Sequence, residues 1–324
     1  MRILVVGGTR FVGRHVVEQA VARGHEVTLF HRGRTGPDLF PELDHRIGDR
    51  NSDLSTLADG TWDATVDTCA YVPGQVHALA DALGGRGGRH LLVSSVSVYA
   101  APSGPGIDED ADLLELDDPT TEEVTAETYG GLKVLCERAA VERQGASTLL
   151  VRPSYVVGPH DYTWRFPWWV ARLARGGTVV VPGPPDAPAQ VIDARDMAAW
   201  MVRLLEDGRS GAFHAASPAP PFTWREQIEA IAGAVAPAGT SITWMEPEEI
   251  ARAGIDQGAF PLWGADDPDV WIMAVDPRRA FDTGLAPRPL TETVRDTLDW
   301  TRTVAMPEGT GVTEEQEQQL LRGH

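Results

Sequence analysis

The sequence is poor in three features, and each scarcity excludes a class of protein. Only two of its 324 residues are cysteines, Cys69 and Cys136, too few for a disulfide framework. Basic residues number 28 against 47 acidic ones, and a net charge of -19 lacks the positive field that nucleic acid or an anionic membrane requires. No apolar run approaches membrane-spanning length, and the N-terminus does not resemble a signal peptide. We therefore expect a cytoplasmic protein with no nucleic-acid or membrane partner.

Short apolar runs alternate with stretches of helical periodicity along the first half of the chain. This βαβ alternation is typical of a parallel sheet with helices on both faces, which binds ligands at the carboxyl ends of its strands. The sequence therefore predicts an α/β fold, a Rossmann-type doubly wound parallel sheet. Strands are predicted over 2–6, 26–30, 64–69, 90–95 and 147–154, and helices over 12–23, 75–84 and 124–144.

The composition changes after about residue 155, where prolines and tryptophans become dense. Nine of the ten tryptophans lie from Trp164 onward, which indicates a smaller, less regular lobe that shapes a substrate pocket. The lobes are expected to interleave, because 191–200 resemble another strand and helix of the main layer. The predicted division is a dinucleotide-binding domain over 1–155 to which 178–205 return, a substrate-binding lobe over most of 156–306, and a polar mobile tail over 307–324.

The first predicted strand runs into a glycine-rich turn, G-G-T-R-F-V-G, that opens a helix. In a phosphate-binding loop of the G-x-x-G-x-x-G kind, Gly7 permits the tight turn and Gly13 lets helix and strand pack closely. The helix N-terminus then faces the pyrophosphate. Arg10 stands where the central glycine would be, which removes some freedom of approach. It either adds positive charge where the phosphates arrive or pins a neighbouring loop.

The end of the second strand bears on the choice of cofactor. About twenty residues after the loop, an NAD enzyme places an acid against the ribose 2′-hydroxyl. This sequence reads LFHRGRT there, with Arg32 and Arg34. Two guanidiniums suit a 2′-phosphate, so NADP(H) is preferred and NAD(H) is possible, unless both arginines are solvated loop charges. Asp49 and Arg50, further along, are placed to border an adenine.

One predicted helix carries Y-G-G-L-K, with Tyr129 and Lys133 four residues apart. This spacing puts both side chains on one helix face, roughly 6 Å apart. A lysine beside a phenol helps the phenol to act as proton donor and acceptor. A Tyr–Lys pair at this spacing is often a solvent-exposed pair without a catalytic role. Ser95, which ends the preceding strand in HLLVSS, adds a hydroxyl and makes the three residues a candidate catalytic set.

Five ordered motifs together resemble the extended short-chain dehydrogenase/reductase superfamily, in its NAD-dependent epimerase/dehydratase group. They are GGTRFVG, SSVSVY (94–99), YGGLK (129–133), RPSYVVGP (152–159) and DARDMA (193–198). The GGTRF loop is typical of an atypical branch that resembles chloroplast stem-loop RNA-binding proteins and many bacterial proteins of unassigned function. Catalytic residues are often incomplete in that branch, whereas all three are present in this chain.

The resemblance implies a mechanism and a set of cofactor contacts. Tyr129 would exchange a proton with a substrate oxygen, Lys133 would hold the nicotinamide ribose, and Ser95 would hydrogen-bond the same substrate oxygen. Hydride would pass between the substrate carbon and the nicotinamide. No metal site is predicted. The predicted cofactor residues are Gly7, Thr9, Arg10, Phe11, Val12, Gly13, Arg32, Arg34, Asp49, Arg50, Thr68, Cys69, Ala70, Lys133, Pro153, Tyr155 and Val156.

Substrate contacts are expected from the aromatic segment after RPSYVVGP and from residues near the serine motif. Aromatic faces suit a sugar ring or a planar phenolic compound. The competing interpretations are that Trp168 packs the lobe interface and that His160 belongs to a solvated loop. The candidate substrate residues are Tyr71, Ser97, His160, Trp164, Arg165 and Trp168.

The favoured function is an NAD(P)-dependent oxidoreductase that acts on a carbonyl or an alcohol. The first alternative is a nucleotide-sugar epimerase or dehydratase with tightly bound cofactor, although Val96 and Ser97 stand where a dehydratase would have Asp-Glu. The second is a non-catalytic protein that senses NADP or binds RNA, which the acidic charge and the complete triad disfavour. The resemblance also implies a homodimer through the helix of Tyr129 and its neighbour.

Overall fold

The computed structural model describes residues 1–264 and 270–323. The strands are β1 (Arg2–Val6), β2 (Glu26–His31), β3 (Asp44–Ile47), β4 (Ala64–Asp67), β5 (Arg89–Val93), β6 (Leu149–Pro153), β7 (Tyr155–Val157), β8 (Thr178–Pro182), β9 (Val191–Asp193), β10 (Gly211–Ala215) and β11 (Ser241–Met245). The α-helices are α1 (Phe11–Ala22), α2 (Pro73–Leu83), α3 (Ala126–Gln144), α4 (Arg165–Arg175), α5 (Ala194–Glu206), α6 (Trp224–Val235), α7 (Pro247–Arg252), α8 (Arg278–Asp282), α9 (Leu290–Thr301) and α10 (Glu314–Gly323).

Among the described residues, seven strands form a central sheet in the order β10-β6-β5-β4-β1-β2-β3. Every neighbouring pair in it is parallel. The chain order reverses between β1 and β4, and doubly wound sheets bind ligands at the carboxyl ends of the strands beside such a reversal. The predicted Rossmann-type fold class is confirmed.

Helices cover both faces of this sheet, which explains why its central strands are almost continuously apolar. In β1, Ile3, Leu4 and Val5 are fully buried. Helix α1 covers one face with Val16 and Val17, and α5 packs beside it. Helices α2 and α3 pack together on the other face. The carboxyl ends of the strands are left as the edge where loops and the second lobe meet.

The second lobe departs from the predicted division. Strand β8 pairs with β11 and β9 pairs with β7, each in a separate two-stranded parallel sheet. Of the predicted return over 178–205, α5 rejoins the main layer. Beyond that range, β10 adds an edge strand beside β6. Val179, Val180 and Val181 are instead fully buried in the lobe's own core. A short apolar run does not reveal which of two cores will bury it.

The predicted polar mobile tail, as far as residue 323, includes the packed helix α10. Glu317 on this helix is 7% exposed, and its carboxylate accepts hydrogen bonds from Arg172 Nε at 2.8 Å and from the Val180 backbone N–H at 3.0 Å. Leu320 is also buried. Polar composition was misleading here because the buried carboxylate has its partner 145 residues away in the sequence.

The helices of the described ranges are polar or amphipathic. Helix α3 is 19 residues long but carries charged residues in its first and last turns. None of the described helices combines the length and the apolar character needed to cross a membrane.

Candidate active site

A first cavity of about 400 Å³ opens at the carboxyl ends of β1, β2 and β4. It lies at the reversal of strand order, where the glycine loop after β1 meets the turn after β4. Most of the predicted cofactor residues line it: Gly7, Thr9, Arg10, Phe11, Val12, Gly13, Arg32, Arg34, Asp49, Arg50, Thr68 and Cys69. These predicted residues therefore share one cavity.

The glycine loop has the close packing that its motif predicts. A Cβ atom added to Gly13 would lie 2.2 Å from the Gly7 carbonyl oxygen, so a side chain there would force α1 away from β1. Gly7 itself has a φ of +93°, a conformation that favours glycine. The first turn of α1 thus faces the cavity with its backbone N–H groups, an arrangement suited to a pyrophosphate.

Arg10 attaches the glycine loop to a neighbouring loop, which is one of the two roles predicted for it from the sequence. Its guanidinium carbon lies 3.2 Å from the centroid of the Tyr162 ring. Phe11 approaches the same ring edge-on, at 6.4 Å between centroids. The loop after β1 is thereby attached to the segment that follows β7. Both Arg10 and Tyr162 line the first cavity, so this contact also forms part of its wall.

Arg32 and Arg34 are exposed at the end of β2 and line the same cavity. Beside them is a histidine pair that the sequence analysis missed. His45 Nε2 donates to the Phe40 carbonyl at 2.9 Å, so its Nδ1 accepts from His31 Nε2 at 2.8 Å. His31 Nδ1 in turn accepts from the Gly33 backbone N–H at 3.1 Å. This chain of hydrogen bonds orients both rings and positions the backbone between the two arginines.

The side chain of Arg50 is committed to a buried ion pair. It borders the cavity as expected, but its guanidinium donates to both oxygens of Asp67, at 2.7 and 2.9 Å. Burial alone would raise the pKa of Asp67, yet Arg50 outweighs burial and holds that pKa below its usual range. Asp49 accepts a hydrogen bond from the Asn51 backbone N–H, which shapes its turn. The charge of Arg50 therefore has a structural partner.

A second cavity of about 660 Å³ continues from the first toward the ends of β5, β6 and β7. Ser95 and Tyr129 line it. So do three predicted cofactor residues, Pro153, Tyr155 and Val156. The two cavities are contiguous because four residues line both of them: Phe11, Val12, Tyr71 and Tyr162.

The glycines of YGGLK explain how Tyr129 comes close to the serine segment. A Cβ atom on Gly130 would lie 2.2 Å from the Ser97 carbonyl oxygen, so α3 contacts the turn after β5 through bare backbone. Within that turn, Ser95 Oγ accepts from the Ser97 backbone N–H at 3.1 Å and donates to Ser97 Oγ at 3.0 Å. Ser95 and Tyr129 consequently face one cavity from two elements.

Lys133 lies one helical turn beyond Tyr129 and is 3% exposed. Its ammonium donates to the carbonyl oxygens of Ala70 and Val93, at 2.8 and 2.7 Å. Ala70 was predicted as a cofactor contact; it is fully buried, and its carbonyl holds this lysine instead of lining either cavity. Two of the three ammonium donors are thus anchored to backbone at the ends of β4 and β5.

Of the predicted substrate residues, Tyr71, Ser97 and Arg165 line the second cavity. Burial raises the pKa of Tyr71 to about 12, with a further contribution from Tyr162. The phenol of Tyr71 is therefore neutral at physiological pH. Arg165 begins α4 and lies at the cavity wall contributed by the second lobe.

Three further residues that were predicted as substrate contacts line neither of these cavities: His160, Trp164 and Trp168. The His160 ring lies 5.8 Å from that of Trp300, and burial together with Arg14 lowers its pKa to about 4. Trp164 lies 5.5 Å from the same Trp300 ring, and Trp168 is buried against Trp169. The contact between Trp164 and Trp300 joins the start of α4 to α9.

Several cavity residues were missed because they come from distant parts of the second lobe. Trp224 and Gln227 of α6, together with Trp263 and Met273, complete the second cavity. The density of tryptophans was the only sequence signal for this wall. It indicated an aromatic surface but not which rings would form it.

The fold and the paired cavities define a Rossmann-type α/β protein with one cavity at the glycine loop and a second cavity adjoining it. The sequence profile of the "NAD dependent epimerase/dehydratase family" matches residues 3–71 and 74–215. The chain belongs to that family. The resemblance found in its motifs is confirmed.

Known relatives include binding proteins and reductases. The chain is 26% identical over 221 residues to the chloroplast stem-loop binding protein of 41 kDa b from Arabidopsis thaliana, covering 63% of this chain and 55% of that protein. It is 27% identical over 242 residues to a dTDP-4-dehydro-6-deoxy-D-allose reductase from Streptomyces bikiniensis, covering 64% and 73%. It is also 27% identical over 267 residues to a 3-diazoavenalumate denitrifying reductase from a Streptomyces species, covering 73% and 83%.

Solved structures share the fold over nearly the whole chain. A putative epimerase from Burkholderia cenocepacia superimposes with a TM-score of 0.70 at 22% identity, covering 94% of this chain and 98% of that one. The UDP-glucose 4-epimerase of Thermus thermophilus, in complex with NAD, gives 0.65 at 18% identity, covering 94% and 100%. At these identities the likeness establishes the fold.

Proposed function

We propose that this chain is an oxidoreductase that uses NADP(H) to move a hydride to or from a carbonyl or alcohol carbon of a small molecule. One observation carries the proposal. Ser95 and Tyr129 line a cavity that is continuous with the glycine-loop cavity, and Lys133 is anchored directly behind them. Family membership and the two reductases among the relatives support the same class of reaction.

The residues present fit a dinucleotide with a 2′-phosphate. The first turn of α1 offers backbone donors beside Gly13, where a Cβ atom has no room. Arg32 and Arg34 would hold the 2′-phosphate, since both are exposed and line the cavity at the end of β2. When bound, the nicotinamide would donate or accept the hydride.

The catalytic roles follow from what each side chain can donate. The Tyr129 hydroxyl would exchange a proton with the substrate oxygen, and the Ser95 hydroxyl would donate a hydrogen bond to that oxygen. Lys133 has one ammonium donor beyond the two given to Ala70 and Val93 in the described part of the chain. That donor would bind either a ribose hydroxyl or the Tyr129 oxygen and would keep the group that it binds in position.

Replacement of Tyr129 by phenylalanine tests the proposal. Purified protein is mixed with NADPH and a panel of aldehydes and ketones, and turnover is followed by the absorbance of the reduced nicotinamide. Tyr129→Phe should lower kcat by about 10²- to 10⁴-fold, because general acid–base catalysis contributes that much, while NADPH affinity stays within about twofold. Glu142→Gln, an exposed change on the same helix α3, is the control. A Tyr129→Phe protein with full activity would contradict the role of the tyrosine.

The alternative function is an epimerase that keeps its cofactor and recycles the hydride. Family membership favours this candidate equally. It predicts dinucleotide that copurifies with the protein and no net consumption of NADPH. Mass spectrometry of the denatured protein, combined with the turnover assay, separates the two functions.

A further inference from the structure

Part of the second cavity is lined by residues that lie far along the chain from Ser95 and Tyr129. This surface, which we call the lobe wall, comes from the second lobe and is apolar or aromatic. Its main members are Pro188, Trp224, Leu262, Trp263, Ile272 and Met273.

The two tryptophans of the lobe wall offer no hydrogen-bond donor to a ligand. Trp224 Nε1 donates to the Pro182 carbonyl at 3.0 Å, and Trp263 Nε1 donates to the Gly183 carbonyl at 2.9 Å. Their N–H groups are therefore used by the chain itself. The rings present apolar and π surface to the cavity, which suits a flat hydrophobic group.

Positive charge in this cavity is concentrated at one side chain. Among the described residues that line it, Arg165 carries the single permanent charge. Its guanidinium carbon lies 5.0 Å from the centroid of the Tyr155 ring, and its Nε donates to Thr163 Oγ1 at 3.3 Å. These contacts hold a planar cation at the cavity wall, where it can bind a carboxylate through two parallel hydrogen bonds.

A neutral polar group is buried in the same cavity. Gln227 is 1% exposed, and its Nε2 has no hydrogen-bond partner among the described residues. Ser154, which also lines the cavity, is 6% exposed and has an unpartnered Oγ. Buried polar groups are seldom left unpaired, because each one loses its hydrogen bonds to water without replacement. The two groups are therefore placed to bind polar atoms of a ligand.

We infer that the substrate is a flat, largely apolar carbonyl compound, or the corresponding alcohol, with a single carboxylate bound by Arg165 and a neutral oxygen bound by Gln227. The inference rests on the proposed oxidoreductase function. In the reducing direction the carbonyl carbon would gain a hydride supplied by a reduced nicotinamide, and its oxygen would gain the proton of Tyr129. The products are an alcohol, the oxidised dinucleotide and a Tyr129 phenolate that regains its proton from solvent. A nucleoside diphosphate sugar fits poorly. Among the described residues that line the cavity, its diphosphate would find a single guanidinium, and its polar sugar would contact the apolar lobe wall.

A matched pair of ligands tests the carboxylate. 6-Formyl-2-naphthoate and its methyl ester are compared as substrates of the full chain with NADPH, and UDP-glucose is added as a competitor. The acid should be preferred over the ester by about tenfold or more in kcat/KM, since a charge-assisted hydrogen bond contributes that much. UDP-glucose should not compete.

Variants assign the preference to particular side chains. Arg165→Gln should abolish the preference for the acid, and Arg165→Lys should retain part of it. Arg175→Gln, an exposed change at the other end of α4, should leave it intact. Gln227→Leu should raise KM for acid and ester alike, because it removes a contact to a neutral atom.

Binding of the same ligands, measured by calorimetry in the presence of NADP⁺, separates this inference from the proposed function. The acid could bind more tightly than the ester in an Arg165-dependent way while no NADPH is oxidised. That result would support the substrate class and contradict the oxidoreductase function. Reduction of acid and ester at equal rates, or equal binding of the two, would overturn the substrate class. Tighter binding of UDP-glucose than of the naphthoate would overturn it as well.

Discussion

The ion pair between Arg50 and Asp67 should stabilise the fold rather than hold a cofactor, and Arg50→Met tests this. The guanidinium donates two hydrogen bonds, at 2.7 and 2.9 Å, to a carboxylate whose side chain is fully buried. Methionine keeps most of the side-chain length and removes the charge. Asp67 would then keep the backbone N–H of Cys69, at 3.1 Å, as a donor.

The expected size of the effect follows from burial. Removing one partner of a buried ion pair costs about 3–5 kcal/mol, because the remaining charge stays in a medium of low dielectric. Unfolding entropy of about 2.1 cal/mol/K per residue amounts to about 0.7 kcal/mol/K for a chain of 324 residues. The unfolding midpoint of Arg50→Met should therefore fall by about 4–7 °C.

Thermal unfolding near neutral pH, followed by circular dichroism, measures the shift. Arg302→Met is a matched control, since it breaks an ion pair with Asp299 whose side chains are 66% and 73% exposed. The control should cost less than about 1 kcal/mol. The double variant Arg50→Met/Asp67→Asn should cost less than the sum of its single changes. An unchanged midpoint together with NADPH affinity weakened about tenfold would refute the reasoning and assign Arg50 to the cofactor.

Lowering the pH should reduce the difference in unfolding free energy between the wild type and Arg50→Met. In the wild type the pKa of Asp67 is held low, against the effect of burial, by Arg50. Its stabilising contribution is complete above the unfolded-state pKa of about 4 and is lost as pH falls through the folded-state value. The difference in unfolding free energy between the two proteins should therefore shrink as pH falls from about 4 toward the lower folded-state pKa of Asp67. Urea unfolding across this range measures it.

Two further predictions concern the end of β2. Replacing Arg32 and Arg34 together by glutamine should weaken NADPH binding by about tenfold to a hundredfold and spare NADH, as calorimetry with both cofactors would measure. Arg138→Gln is the control, and equal losses for both cofactors would count against a 2′-phosphate contact. Burial, and then His45, lowers the pKa of His31, so its stabilising contribution is complete above about pH 6.5 and falls at lower pH. His31→Asn should flatten the slope of unfolding free energy between about pH 7 and pH 5; an unchanged slope would contradict this coupling.

The parts of the site that could be predicted from sequence are those held by local chain geometry. The turn after β1 depends on Gly7 and Gly13, which lie in one short motif, and the same motif begins α1. Tyr129 and Lys133 lie on one helix, so their spacing alone puts them on one side of it. Ser95 follows a buried strand whose carboxyl end had to lie at the ligand edge. Each of these predictions needed only the periodicity of one element and the rule for parallel sheets.

The remaining features depend on contacts between distant segments, which composition does not specify. An aromatic run predicts burial equally well against a neighbouring helix or beside a ligand, and Trp168 turned out to be buried against Trp169. Arg50 could be expected near the cavity, but its partner Asp67 is 17 residues away, at the end of β4. Gln227 reaches the cavity from a helix more than a hundred residues after Ser95.

Arg10 shows why a glycine loop can lose its central glycine and still form. Its backbone has a φ of −142°, an extended conformation that any residue adopts, so position 10 needs no glycine for its own geometry. The unusual backbone lies next to it, at Phe11, with a φ of 37°. Because position 10 does not need the backbone freedom of glycine, it can carry an arginine. The Arg10 side chain stacks on Tyr162, a residue that lines both cavities. The substitution thereby joins the start of α1 to the segment that borders the second cavity, and one residue of the loop contributes to the shape of both.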